Sequence, residues 1–275
     1  MISRAEEEFI LDRARIPEHI PSLMRWVSGG EAYLDSGYLT YAGEDWIIFV
    51  GYPLVEGAPV EEALHRAMAR ASPRRAFVIA PTMPSSLPCQ ERETDWYYTL
   101  ELGGLSLGKS LRYRVRKASR TLRVERGGVS SEHRRMVKEF LETEKPGKRV
   151  EELFRRLPGY ASEAGSCVVL NALDRDDNLA AFYLVEVSPR DFAAYLIGCY
   201  SRKNPVPGAS DLLFHEMIAL AREMDKGYIN LGLGVNPGIR KFKEKWGGRP
   251  TIKYESCYWD VDQAKALELM RRWGH

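Results

Sequence analysis

Three apolar runs in close succession constrain this chain more than any other feature. Cys167-Val-Val-Leu-Asn-Ala172, Leu179 to Val187 and Phe192 to Tyr200 are separated by Asp174-Arg-Asp-Asp-Asn178 and Ser188-Pro-Arg-Asp191. Clusters of Asp, Asn, Ser and Pro favour turns, so the spacing predicts three strands joined by short connections. Helical signals surround them. Ser130-Ser131 is placed to cap a helix through about Glu144, with Met136, Val137, Phe140 and Leu141 facing inward, and Val150 to Leu157 reads as a second, short helix. Leu213, Met217, Leu220 and Met224 form one stripe of a longer helix that Lys226-Gly227 ends. Tyr228 to Gly232 reads as a strand, and Asn236-Pro-Gly238 opens a short helix that Gly247-Gly248 stops after Trp246. Thr251 to Trp259 alternates as a final strand, and Val261 to Trp273 reads as a closing helix. Strands interleaved with helices predict an α+β chain, a mixed sheet with helices on both faces.

The first hundred residues repeat the theme in outline. Tyr38 to Tyr41 and Trp46 to Val50 flank a turn at Gly43-Glu-Asp45, which predicts a hairpin. Val60, Ala63, Leu64, Ala67, Met68 and Ala71 recur at helical spacing, Ala76 to Ala80 is a short buried run, and Trp96 to Leu102 alternates as a strand. Between those two strands, Pro81, Pro84 and Pro88 punctuate a loop.

Charge divides the chain unevenly. Residues 1–108 carry a net −7, residues 109–126 carry +7, and residues 127–275 carry +2. The basic stretch, Lys109 to Arg123, sets Leu111, Val115, Ala118 and Leu122 on one helical stripe and Arg112, Arg116 and Arg120 in a row at i, i+4. Gly127-Gly128 follows. These features divide the chain into a first unit (1–108), a basic connecting helix (109–126) and a second unit (127–275). Two readings of the arginine row compete: a phosphate-binding surface, or a connector whose arginines pair with the acidic first unit. The positive charge is local, which argues against general DNA binding. No apolar stretch approaches the roughly 18 residues of a membrane span, and the acidic start lacks the apolar core of a signal peptide. The widely spaced Cys89, Cys167, Cys199 and Cys257 contain no CxxC pair and read as thiols of a reducing cytoplasm. No His/Cys cluster has the spacing of a metal site.

The element order, together with particular residues, resembles the GNAT acyltransferase fold. Pro207-Gly-Ala-Ser-Asp-Leu-Leu213, Ile218-Ala-Leu-Ala221, Tyr228-Ile-Asn-Leu-Gly232 and Gly238-Ile-Arg-Lys-Phe-Lys-Glu-Lys-Trp-Gly-Gly248 are similar to the C-terminal signature of the Fem-type branch. That branch includes the peptidoglycan-bridge aminoacyl transferases and the catalytic domain of lysylphosphatidylglycerol synthases. Ser106 to Lys117 resembles the basic segment joining their two units. The resemblance covers roughly residues 95–260 in motif form and 1–94 in outline. It implies two GNAT-like units in tandem and transfer of an acyl or aminoacyl group to an amine or hydroxyl. The donor would be acyl-CoA or aminoacyl-tRNA, used as a co-substrate, with no tightly bound cofactor. The acceptor would be a small molecule or a peptidoglycan- or lipid-precursor-like compound, with tRNA as a possible partner. In place of the Arg/Gln-x-x-Gly-x-Gly/Ala loop of coenzyme A enzymes stands Arg202-Lys-Asn-Pro-Val-Pro-Gly208.

Candidate site residues follow. A helix opening at Pro207, Gly208, Ala209 and Ser210, with Arg202 beside it, offers free N–H groups to a donor phosphate; the alternative is an ordinary turn. Leu231 and Gly232 end a strand that either splays open for substrate or simply turns, with Asn236 beyond it. Gly232-Leu-Gly234 is no dinucleotide fingerprint, because its third glycine falls late and Pro237 interrupts the run. The resemblance places Lys243 at the acyl-transfer centre, where a cation can stabilise an oxyanion, and makes Phe242 a pocket wall; otherwise both belong to a solvated lysine row beside a core phenylalanine. Tyr200 is a candidate proton donor to the leaving group, and Glu186, Asp211 and Glu255 are candidate bases by position only. No histidine is placed to activate Cys199. The alternative from another class is a catalytically inert GNAT-like module that binds an anionic ligand through the basic helix.

Overall fold

The computed structural model describes residues 1–84 and 87–262. Along the chain come α1 (Arg4–Arg13), a single 3-10 turn (Pro17–His19), α2 (Pro21–Ser28), β1 (Glu31–Asp35), β2 (Tyr38–Ala42), β3 (Trp46–Val50), α3 (Val60–Ala71), β4 (Arg75–Ala80) and β5 (Glu91–Glu101). After them lie α4 (Lys109–Ala118), β6 (Arg123–Gly127), α5 (Ser131–Glu144), α6 (Lys148–Glu163), β7 (Cys167–Leu173), β8 (Leu179–Glu186), β9 (Phe192–Tyr200), α7 (Ala209–Glu223), β10 (Tyr228–Leu233), α8 (Pro237–Lys245) and β11 (Arg249–Asp260). Most of the closing helix expected to run to Trp273 lies outside the described residues.

Among the described residues, eleven strands form one sheet in the order β1-β2-β3-β4-β11-β5-β10-β9-β8-β7-β6. The three apolar runs are β7, β8 and β9, antiparallel neighbours as their short turns require. All eight residues of β8 are buried, the pattern of a strand covered on both faces. On one face α7 packs Leu213, Met217, Leu220 and Ala221 against Ala181, Tyr183, Ala193, Ile229 and Leu231. On the other face α5, α6 and α2 cover Phe182, Leu184, Phe192 and Ala194. Each fully buried aliphatic or aromatic side chain contributes about 1.5–3 kcal/mol, so this double-sided core anchors the second half of the molecule.

Several elements depart from the sequence reading. The first 37 residues hold two helices and a strand. Ser3 and Glu6 form a capping box that starts α1, and left-handed Gly29 ends α2. The basic helix stops at Ala118; Arg120 follows its end, and Arg123 opens β6, which pairs with β7. α6 runs on through Pro158 to Glu163. β11 inserts between β4 and β5 with long antiparallel registers on both sides, so a strand from the chain's last portion completes the sheet of its first.

That insertion corrects the reading of four free thiols. Cys257 on β11 lies beside the loop leading into β5, and it forms a disulfide with Cys89 across a Cα–Cα distance of 5.3 Å. The 168-residue separation hid the pair. Cys167 and Cys199 are free and buried.

Among the described residues, the basic segment makes no ion pair with the acidic first unit either. α4 packs on α7, with Arg114 4.0 Å from Asp211, while Arg123 pairs with Glu125 and Asp177, and Arg126 with Glu223. Among the described residues, Lys109, Arg112, Arg116 and Lys117 make no ion pair, and their row faces solvent.

Candidate functional site

β10 carries a different partner on each edge. With β5 it pairs from Tyr228 to Leu233, with a bulge between Asn230 and Leu233. With β9 it pairs in parallel only at Tyr228–Phe192, Ile229–Ala193 and Asn230–Ala194. Beyond Asn230 the two strands part, and β9 continues to Tyr200 on β8 alone after a register shift that leaves Leu196 unmatched.

Local chemistry holds the gap open. The Gly232 N–H, which a continuous sheet would direct to a neighbouring strand, donates to Asn230 Oδ1 at 2.9 Å. Gly232 has φ 73°, a conformation that glycine adopts without steric penalty. A Cβ placed there would stand 4.0 Å from both Lys243 Nζ and the Tyr195 carbonyl oxygen. A carbon-sized position therefore exists between the strands, within van der Waals reach of a cation and a backbone acceptor.

Lys243 reaches this gap from α8. Asn236 caps that helix, its Oδ1 accepting from the Ile239 N–H at 2.9 Å, and Phe242 and Trp246 fix it on the α7 face by packing on Phe214. Lys243 is only 5% exposed. Its Nζ donates to the carbonyls of Leu233 (2.6 Å) and Gly232 (3.1 Å) and lies 5.6 Å from the Tyr98 ring centroid. An ammonium has three donors, and these bonds use two. Burial pulls its pKa down to about 7, against a smaller opposing pull from Asp95. Asp95 also accepts from the N–H of Val235 at 2.8 Å. Val235 has φ 57°, an unfavourable conformation for a β-branched residue, so backbone strain sits directly after the gap.

A cavity of about 300 Å³ opens on the α7 face, lined by Tyr200, the segment Pro205 to Asp211, Phe242 and Lys245. The N-terminus of α7 forms its wall. Gly208 opens the helix at φ 86° with no side chain capping it, and a Cβ there would come within 3.0 Å of Ala118 on α4. Asp211 in the first turn is paired with Lys245 and accepts from Trp246 Nε1 at 3.3 Å. The basic end of α4 thus abuts the rim of this cavity.

Of the sequence candidates, Tyr200, Pro207, Gly208, Ala209, Ser210 and Phe242 meet at the cavity. Gly232 and Lys243 meet at the gap, and neither lines the cavity. The others do not line the cavity. Arg202 pairs with Glu144 at 2.9 Å, Leu231 is core, and Asn236 serves as the α8 cap. Asp211, a candidate base by position, and Lys245, part of the expected solvated lysine row, join the wall as an ion pair. Only their spatial meeting makes them notable, and no sequence spacing announces it. Glu186 accepts from Tyr160 at 2.6 Å and Glu255 is held by Lys253, Arg92 and the Met83 N–H. Those contacts keep Glu255 ionised down to about pH 2. Burial pushes the Cys199 thiol up to about 12, which leaves it inert as a nucleophile at neutral pH. Among the described residues, no group of three His, Cys, Asp or Glu side chains is placed to hold a metal, and no helix is long and apolar enough to cross a membrane.

No family model and no curated protein sequence matches the chain. Solved structures do. The C-terminal domain of a protein described as a lysylphosphatidylglycerol synthetase from Agrobacterium fabrum superposes with a TM-score of 0.63 at 17% identity, covering 97% of this chain and 96% of that one. FemX superposes at 0.62 and 12% identity, covering 98% and 99%. A tandem GNAT protein from the clavulanic acid biosynthesis pathway superposes at 0.50 and 10% identity, covering 81% and 78%. The chain has the tandem GNAT-like fold of the Fem type.

Proposed function

We propose that the protein is an acyltransferase that moves an acyl or aminoacyl group from an activated donor to an amine or hydroxyl. The observation carrying this reading is the carbon-sized gap at Gly232, between β9 and β10 and beside a buried lysine. The donor lies in the α7-face cavity with its phosphates toward the helix N-terminus at Gly208 to Ser210. Its carbonyl enters the gap. The acceptor nitrogen or oxygen bonds to the carbonyl carbon and gives up its proton to solvent, and the protonated Lys243 Nζ stabilises the oxyanion that forms. Collapse of the intermediate breaks the carbon–sulfur bond of a thioester or the carbon–oxygen bond of an ester. Tyr200, at the cavity rim, returns a proton to the leaving group and recovers one from solvent. The active site belongs to the second unit, residues 127–275, and the first unit shapes the acceptor side.

Two donor classes fit. The free basic row of α4 beside the cavity favours a polyanionic donor such as aminoacyl-tRNA over acyl-CoA. Incubation with labelled acetyl-CoA and with aminoacyl-tRNA in parallel tests the reading. A CoA-type donor predicts competition by free coenzyme A. A tRNA donor predicts ribonuclease sensitivity, a steep salt dependence, and loss of binding on paired Arg112→Glu and Arg116→Glu replacement. Binding of neither donor rejects acyl transfer. Binding of an anionic ligand that survives Lys243→Ala, without turnover, supports an inert module instead.

A further inference from the structure

β5 continues past the end of β10. Tyr97 pairs with Leu233, and one residue further out the Trp96 carbonyl accepts from the Gly234 N–H at 3.1 Å. Asp95 comes next, on a stretch of β5 that β11 holds from the other side through Tyr254. Its side chain is only 15% exposed. Oδ2 accepts from the Val235 N–H and Oδ1 from the Trp96 N–H, both at 2.8 Å. Oδ1 also lies 3.6 Å from the Arg240 guanidinium of α8. Gly234 makes room for this pair, since a Cβ there would come within 2.7 Å of Asp95 Oδ1 and 2.8 Å of Arg240 Nε. The two glycines of Gly232-Leu-Gly234 therefore have separate roles, one at the gap and one beneath a carboxylate.

The turn that Asp95 fastens directly follows the two carbonyls that bind Lys243, those of Gly232 and Leu233. Val235 sits in that turn at φ 57°, and a charge-assisted bond from its N–H to a fixed carboxylate holds it there. Few charges surround the ammonium. β5 presents Asp95 and the Tyr98 ring. β9 turns the Tyr195 carbonyl to the gap, with the ring of that residue packed on Tyr183. On α8, Arg240 faces Asp95 and Glu244 accepts from the Tyr98 hydroxyl at 3.4 Å, while Asp211 of α7 is taken by Lys245. Lys243 makes no ion pair among the described residues, so Asp95 acts on it through space, against the effect of burial.

We infer that Asp95 is a positioning residue for Lys243, lent by the first unit to a centre in the second: it locks the turn behind the two carbonyls that bind the ammonium and supplies the ammonium's counter-charge. A carboxylate favours a nearby ammonium and a guanidinium opposes it, so Asp95 and Arg240 act on Lys243 with opposite sign. The consequence for turnover rests on the acyl-transfer reading, in which the charged lysine meets an oxyanion; the effect on the lysine itself does not. The centre is therefore incomplete without β5.

The test is an NMR pH titration of the full chain carrying isotope-labelled lysine, with the Lys243 Cε signal identified by its absence from Lys243→Met. Asp95→Asn keeps an acceptor oxygen and loses the charge. It should move the Lys243 midpoint from about 7 to lower pH, by roughly half to one pH unit. The alkaline limb of turnover should move with it, cutting kcat at neutral pH about twofold to fivefold while donor KM stays the same. A merely structural role predicts the opposite shift, because a loosened turn admits water and lets the lysine drift toward its ordinary value of 10.5. An unmoved or raised midpoint in Asp95→Asn overturns the proposal. Arg240→Gln leaves both Asp95 hydrogen bonds in place and should raise the midpoint; if Asp95→Asn does not fold, an unmoved midpoint in Arg240→Gln overturns the proposal instead. A lowered midpoint in a protein that turns over neither donor class keeps the Asp95 assignment and rejects acyl transfer. Turnover with the midpoint unmoved keeps acyl transfer and rejects Asp95 alone.

Discussion

The two edges of β10 make an instructive pair. Facing β5, the strand stays bonded to Leu233 and absorbs an extra residue in a bulge. Facing β9, it lets go after Asn230. Strand propensity does not explain the difference, since the same residues serve both edges. The edges differ in where the backbone donor of Gly232 is sent: Asn230 captures it in-strand, which deprives β9 of a partner. A functional opening in a sheet can thus be made by one side chain and one left-handed glycine rather than by weak pairing.

The sharpest way to break this contrast is at the lysine that fills the open edge. Lys243→Met should lower turnover about 10²- to 10³-fold, the usual loss for an oxyanion donor, with donor binding retained. Because burial sets its pKa near 7, the charged form is depleted as pH rises through that value. Turnover should therefore fall on the alkaline side of about pH 7, and any residual activity of the variant should lack that limb. Stability moves the other way. The unfolded chain, with lysine near its ordinary value of 10.5, binds the extra proton between about pH 7 and that value. Folding stability gains with pH across this window, and Lys243→Met should flatten the gain in a pH series of melting curves.

Gly232→Val should come next. It forces a β-branched residue into a left-handed conformation costing about 1–2 kcal/mol and fills the space where the carbonyl is proposed to lie. Turnover about 100-fold down with circular dichroism unchanged is the expected outcome; near-normal turnover would mean that the gap is not the reaction centre. Asn230→Ala frees the Gly232 donor and should cost about tenfold in rate and about 1 kcal/mol in stability. Asn230→Asp, which keeps the acceptor oxygen, should recover much of both. The smallest effect on turnover is expected from Cys89→Ser. It removes a crosslink remote from the gap, so the melting temperature should drop by an amount consistent with about 2–4 kcal/mol while donor turnover stays the same.

How much of this was legible in the sequence depended on the range of the signal. β7, β8 and β9 were readable because apolar runs and turn residues are local, and the α7 stripe because helical periodicity is local. The gap was anticipated from Gly232 and its neighbours, but the Asn230 clamp was not, since a side chain bonding two residues onward looks like any polar strand residue. Lys243 was named by resemblance. Its burial and its bonds to two carbonyls were invisible, because a lysine flanked by Lys241 and Lys245 reads as solvated. The basic segment misled in two ways. Its helical stripe ran on in pattern past Ala118, where tertiary pairing made β6 from Arg123 onward, and one of the two readings of its charge named first-unit partners with which no ion pair is made among the described residues. Cys89 and Cys257 showed the limit most plainly, because only the insertion of β11 between β4 and β5 brings them together.

That insertion also sets an order of events during synthesis. When the ribosome has made the first hundred residues, β4 and β5 exist but the strand that lies between them does not. The sheet of β1 to β5 carries an unfilled seam until Arg249–Asp260 emerges, so its completion waits on a segment made long after β5 itself.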